Sequence, residues 1–256
     1  MHVYAAAVTL HDGTIALTSM GRIFEKRKAK MFARYDRMAK TFTRIGREIT
    51  IAVKLGGADP AVNPRLRAAL QEARANNMPK DRVEAAIQRA LGRQADNLQE
   101  VLYEGYAPHG VALMIETATD NPTRTVANLR SYFNKYGGSL AQSGAVEFLF
   151  QRRGVFKVPL GAMPREEMEL LLIEAGADDI EFDADENILI AYSTFEDFGR
   201  MQRALEERGV ELQLAQLQWV PLSTVSLSDE QMDDVARLIE HLEQDDDVQH
   251  VYHNIA

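Results

Sequence analysis

The chain has 256 residues, 46% of them hydrophobic, a net charge of −9 and no cysteine. That length admits one large domain or two to three domains of about 100 to 200 residues. The lack of cysteine excludes disulfides, thiolate metal sites, iron–sulfur clusters and cysteine nucleophiles, and suits a reducing compartment.

Residues 1–19 contain no Lys or Arg, and their short apolar run is broken by His11 and Asp12, so they do not read as a secretory signal. No segment approaches the roughly 18 to 20 uninterrupted apolar residues of a membrane span. The expected location is therefore the cytoplasm, with no membrane partner.

From residue 21 the charge changes character. Residues 21–98 hold 18 Lys and Arg against 8 Asp and Glu, a balance of +10, whereas residues 99–256 hold 11 against 29, a balance of −18. A uniformly acidic protein would be repelled by phosphate; this one has a basic N-terminal part attached to an acidic remainder.

Within the basic part, two apolar rows repeat every seven residues. Met31, Met38, Ile45 and Ala52 form one, Tyr35, Phe42 and Ile49 the other, which is a helical stripe. Lys26, Arg27, Lys30, Arg34, Arg37, Lys40, Arg44, Arg47 and Lys54 fall on rows of the same period beside it. Gly46 leaves one bent helix or two helices open. Gly56-Gly57 and Pro60 should end the segment, since glycine suits a left-handed cap and proline cannot continue the helix.

Asn63-Pro64 reads as an N-cap followed by a helix to about Ala75. Pro79 opens a further one with Asp81 in its first turn and Val83, Ala86, Ile87 and Ala90 on one face. The expectation for residues 20–98 is an all-helical domain, preceded by an N-terminal extension, 1–19.

Beyond residue 99 the pattern becomes α/β: a strand over 111–117, a helix over 122–136, a turn at Gly137-Gly138 and a strand over 145–150. A series then follows of strand 154–158, helix 165–175, strands 179–183 and 187–192, helix 195–208 and strand 211–219. The order βαββαβ is that of a ferredoxin-like unit. After Pro221 come a strand, a helix capped by Ser228 with Glu230 nearby, and a last strand near 248–253. These can complete the sheet begun at 99–152, which makes 153–220 an insertion and 99–152 plus 221–256 a discontinuous domain. The fold class expected is thus α+β and multi-domain.

The runs MGRIFEKRKAK, TFTRIGREITIAVKLGG, NPRLRAALQEARANNMPKDRVEAAIQRA, YEGYAPHGVALMIETATDNPTRTVANLRSYFNKYGGSL, SGAVEF and EQDDDVQHVYHN resemble the YebC family. That family includes the mitochondrial translational activator of cytochrome oxidase subunit one. The resemblance runs in order from Met20 to Asn254. It implies a helical domain followed by two α/β domains, and a role in gene expression: as a transcriptional regulator that binds DNA, or as a ribosome-associated translation factor that binds ribosomal RNA and relieves stalls. Family members begin at the position of Met20, which leaves residues 1–19 outside the resemblance.

Three candidate contacts with nucleic acid follow. The basic flank from Lys26 to Lys54 can track a phosphate backbone without reading sequence, because its aromatics lie in the apolar row. The helix opening at Pro122, capped by Asn121, places Arg124 near its N-terminus and Arg130 further on, where backbone N–H groups attract anions. Lys80, in the connector Asn77-Met78-Pro79-Lys80, is the third. The run Asp245-Asp246-Asp247 lacks the glycine and closing glutamate of a calcium loop and reads as a solvated helix end.

An enzyme finds little support: there is no Gly-rich phosphate loop, nucleophile elbow or paired-His helix, and the six histidines have no recognised metal spacing. No cofactor or metal is expected. A protein-binding adaptor, with the sheet edges facing a partner, is the alternative of another class.

Overall fold

The computed structural model describes residues 20–92 and 97–256, with side chains from Met38 onward. The chain divides into two compact units, 1–41 and 42–256. Of the first, the described backbone is helical from Met20; the cores and sheets described below belong to the second.

Helix α1 (Met20–Gly56) passes through Gly46 without interruption. The Gly46 carbonyl accepts both its helical bond and the Thr50 hydroxyl at 2.8 Å, and the residue is buried. The helix ends at the glycine pair: Gly57 has φ of 82° and donates to the Val53 carbonyl. Asn63 then locks the corner. Its Nδ2 donates to the carbonyls of Ala52 and Gly57, while its Oδ1 accepts the Leu66 N–H and caps α2 (Pro64–Ala75). Helix α3 (Lys80–Leu91) follows, with Pro79 as the cap residue itself.

Ile45, Ile49, Ala52 and Val53 of α1 pack with Leu66, Ala69 and Ala73 of α2 and Ala86 of α3. The apolar row is therefore a core from Ile45 onward, and Met38 is exposed.

Two antiparallel sheets come next. The first has the order β3-β1-β2-β8, from β1 (Gln99–Tyr106), β2 (Ala112–Thr119), β3 (Ser139–Leu140) and β8 (Val248–His253). Helices α4 (Pro122–Lys135) and α7 (Asp229–Gln244) cover one face, through Leu129, Phe133, Val235, Leu238 and Leu242.

The second sheet has the order β5-β6-β4-β7 and consists of β4 (Phe150–Pro159), β5 (Asp179–Asp183), β6 (Ile188–Thr194) and β7 (Leu214–Pro221). Helices α5 (Arg165–Ala175) and α6 (Phe198–Glu207) complete the βαββαβ series, and the strand order is the ferredoxin-like one. Phe156, Leu172, Leu189, Met201 and Leu205 are the centre of its core.

The structure revises three local expectations. Strand β1 is absent from the sequence pattern, because Glu104 stands where alternation calls for an apolar residue; that carboxylate is 2% exposed. It accepts the N–H groups of Gly144, Val146 and Glu147 at 2.6, 2.7 and 3.0 Å. Those bonds take the donors a strand over 145–150 would need, so the segment forms a turn and a 3-10 turn, Glu147–Leu149, before β4 begins. After Pro221 there is only an isolated bridge from Val225 to Ile255. The Ser228 cap of α7 is present as expected and forms a capping box with Gln231.

Candidate nucleic-acid interface

Of the expected basic flank, the side chains of Lys26, Arg27, Lys30, Arg34 and Arg37 lie outside the described residues. Lys40 is exposed. Beyond it the flank divides into cations that serve the fold and cations on the surface.

Arg44 and Arg47 belong to the first group. Arg44 donates to the Glu243 carbonyl at the end of α7. Arg47 donates to the Ala118 carbonyl at 2.8 Å, to the Asp246 carbonyl, and to the Asp247 carboxylate at 3.0 Å.

Asp247 is 2% exposed and is the hub of this joint. It also accepts Arg124 at 2.7 Å and the hydroxyls of Thr125 at 2.8 Å and Thr119 at 3.2 Å. Burial alone would raise its pKa, but Arg124, Thr125 and Arg47 together hold it below the ordinary aspartate value. Asp245, also buried, accepts Asn128 and the Tyr132 hydroxyl. Of the acidic run expected to be solvated, Asp246 is exposed, but Asp245 and Asp247 are buried acceptors. The Asp247 charge is what draws Arg47 and Arg124 in from sequence positions far apart.

Arg124 also pairs with Asp120 at 2.9 Å, and the Asn121 cap accepts its backbone N–H. The start of α4 thus already carries an anion, the Asp247 carboxylate. Arg130, further along α4, is exposed.

Two more arginines are structural. Arg65 on α2 bridges Glu48 of α1 and Glu100 of β1, with Nε to Glu48 at 2.6 Å. Burial pushes the Glu48 pKa upward, but the bonds and charge of Arg65 prevail and leave it low. Arg67 reaches the carbonyls of Pro60 and Ala61 and the Gln202 side chain of α6.

The second group is on the outside of the helical part. Lys54, which donates to the Leu98 carbonyl at 3.0 Å, is exposed, as are Lys80 and three residues that charge periodicity on α1 did not pick out: Arg74 of α2 and Arg82 and Arg89 of α3. Arg82 and Arg89 are seven apart, which puts them on one face; that spacing was the available signal. Lys80 is 3.9 Å from Glu84, an exposed pair of small energetic weight. Meanwhile Glu48 and Glu72, two acids of the same helices, face inward among Arg65, Glu116, Arg152 and His250. Asp59, Asp81 and Glu84 are exposed as well, so among the described side chains of the helical part six exposed cations, Lys40 included, stand against three exposed acids and the outer face stays net positive.

Among the described residues no cluster of His, Asp and Glu could hold a metal ion, and no helix is long and apolar enough to cross a membrane.

A helical part followed by two four-stranded antiparallel sheets with their helices, one of them ferredoxin-like, makes this a mixed α+β protein. The family descriptions "TACO1/YebC protein N-terminal domain" and "TACO1/YebC second and third domain" match residues 22–93 and 98–255. The chain belongs to the TACO1/YebC family.

It is 50% identical over 240 residues to a protein of Anaeromyxobacter dehalogenans and to one of Myxococcus xanthus, in each case over 93% of this chain and all of the relative. A Flavobacterium johnsoniae protein is 49% identical over 236 residues, covering 92% of this chain and 99% of the relative. All three are named probable transcriptional regulatory protein. The crystal structure of a conserved hypothetical protein from Aquifex aeolicus superposes with a TM-score of 0.77 at 40% identity, over 85% of this chain and 90% of that one.

Proposed function

We propose that the chain is a non-enzymatic regulator of gene expression that works in the cytoplasm and binds nucleic acid through its basic helical part. The observation that carries this is the sorting of charge: Arg44, Arg47, Arg65 and Arg67 are consumed by the fold, while Lys54, Arg74, Lys80, Arg82 and Arg89 remain exposed. The α1 cations from Lys26 to Lys40 belong to the same reading on the strength of their sequence spacing, and Arg130 is a secondary contact from α4. The name shared by the relatives supports a regulatory role and favours DNA as the target.

The proposal divides the chain into a helical domain, 20–98, a discontinuous domain, 99–152 with 221–256, and an inserted domain, 153–220. Pairing of β8 with β2 supports that division. The acidic domains are repelled by phosphate and stay clear of the backbone that the helices hold. Grip of this kind is blind to sequence, so it serves duplex DNA and ribosomal RNA alike.

Co-sedimentation with ribosomes at low and moderate salt, with excess duplex DNA in a parallel tube, tests the reading and separates the two targets. Binding that the DNA strips, together with direct binding to the duplex, is the result expected of a transcriptional regulator. Binding that survives the DNA assigns the same face to ribosomal RNA. No binding to either at low salt overturns the proposal.

A further inference from the structure

Strand β8 carries a bulge. Glu116 of β2 faces His250, but its neighbour Thr117 faces Val248, so Gln249 is an extra residue without a partner across the ladder. A bulge interrupts alternation and re-aims side chains. Val248 stays in the core beneath α4 and α7, and Gln249 lines a cleft outside that core.

The cleft has a volume of about 160 Å³, and its walls include Glu48 of α1, Glu100 of β1, Glu116 of β2, Arg152 of β4 and Trp219 of β7. Gln249 is 6% exposed, yet among the described residues both its Nε2 and its Oε1 lack a hydrogen-bond partner, and so does the Nε of Arg152. Buried amides are almost always satisfied. A strand bulged to bring an unsatisfied one to a cleft wall prepares a donor and an acceptor for something that enters.

The other walls say what that is. Glu116 is fixed by the Trp219 indole N–H at 3.0 Å and the Tyr252 hydroxyl at 3.1 Å, while Arg65 holds Glu48 and Glu100 in place. The Arg152 guanidinium lies 5.8 Å from the Trp219 ring centre, so two planar groups line one side. Carboxylates only accept hydrogen bonds, and three of them against one lining arginine disfavour a phosphate.

We propose that this cleft takes up one unpaired nucleobase, whose edge is read by the Gln249 amide. A carboxamide offers a donor and an acceptor side by side, which is the pairing glutamine makes with the N6 and N7 of adenine. A cavity of about 150 Å³ admits one six-membered aromatic ring, so the cleft takes the amino-bearing edge of a base while the rest of a two-ring purine extends toward the mouth. The surrounding carboxylates select bases that carry an amino group over uracil, and the sugar and any phosphate stay at the mouth. The proposal stands apart from the phosphate grip above, because a nucleoside has no phosphate to grip.

Trp219 is the sole tryptophan of the chain, so its fluorescence reports on this cleft alone. The experiment is to titrate the full-length protein with adenosine, adenosine monophosphate, uridine and a short single-stranded oligoadenylate. Adenosine should quench saturably and more tightly than its monophosphate, with uridine weaker by about tenfold or more, the discrimination a bidentate base contact provides. Gln249→Leu should weaken adenosine by a similar factor without lowering the melting temperature, since it removes polar atoms that have no partner in the free protein. Gln249→Asn, which withdraws the amide by one methylene, provides the same comparison if the leucine variant does not fold. Saturation by adenosine itself marks a free nucleoside site; saturation by the oligoadenylate only, lost in the Gln249 variant, marks a base presented by a single strand. Linear quenching by both, or saturation that the Gln249 variants leave unchanged, overturns the proposal.

Discussion

Arg47 and Asp247 are 200 residues apart in sequence and 3.0 Å apart in the structure. Asp247 is buried and Arg47 mostly so, and the same carboxylate holds Arg124 and two threonine hydroxyls. Removing one member of such a set leaves the others uncompensated, so Asp247→Ala should destabilise the protein by about 3 kcal/mol. Chemical denaturation of the variant checks this; a loss below about 0.5 kcal/mol, the scale of an ordinary surface change, would contradict it.

The same carboxylate sets a pH dependence. Its folded pKa is lowered, so its contribution is complete above the unfolded aspartate value of about 3.9 and disappears as the pH falls through the folded value. The acid limb of wild-type stability should therefore be steeper than that of Asp247→Asn, which has no proton to take up there. Parallel acid limbs in the two proteins would show that the joint does not contribute.

Cations of the fold and cations of the surface should respond differently to neutralisation. Arg47→Gln should lower the melting temperature, because the substituted side chain cannot satisfy Ala118, Asp246 and Asp247 together. Arg89→Gln, at an exposed position, should change stability by no more than about 0.5 kcal/mol. Thermal melts of the two variants side by side give the answer, and equal effects would remove the distinction.

Glu104 holds the 144–147 turn with three N–H bonds and, among the described residues, has no arginine or lysine as a hydrogen-bond partner. Glu104→Gln keeps the shape but cannot accept all three, and should cost about 2 kcal/mol, the scale of hydrogen bonds to a charged group. Hydrogen exchange should show the Val146 amide, otherwise buried and bonded, losing protection first. Unchanged protection there would place the anchor of the turn elsewhere.

Much of the fold was legible because the determinants are local. The Gly56-Gly57 stop, the Asn63 cap and the βαββαβ series each follow from a few adjacent residues, and the structure agrees with them. What the sequence concealed depends on distant partners. Glu104 hid strand β1 by placing a carboxylate on a buried face. Asp245 and Asp247 looked like a solvated run because nothing nearby reveals Asn128, Tyr132, Arg47 and Arg124 converging on them. The candidate interface suffered from the same blindness: periodicity assigned Arg44 and Arg47 to the basic row, and only their tertiary partners distinguish them from Arg82 and Arg89.

If the exposed cations of the helical part grip nucleic acid phosphate, the salt dependence of duplex binding must differ between the wild type and Lys80→Gln/Arg82→Gln/Arg89→Gln. Wild-type binding should weaken log-linearly with salt. The triple variant should bind less tightly at low salt, with a slope shallower by about 0.9 for each phosphate it no longer neutralises, or about 0.7 on a single strand. A triple variant with the affinity and slope of the wild type would contradict that grip.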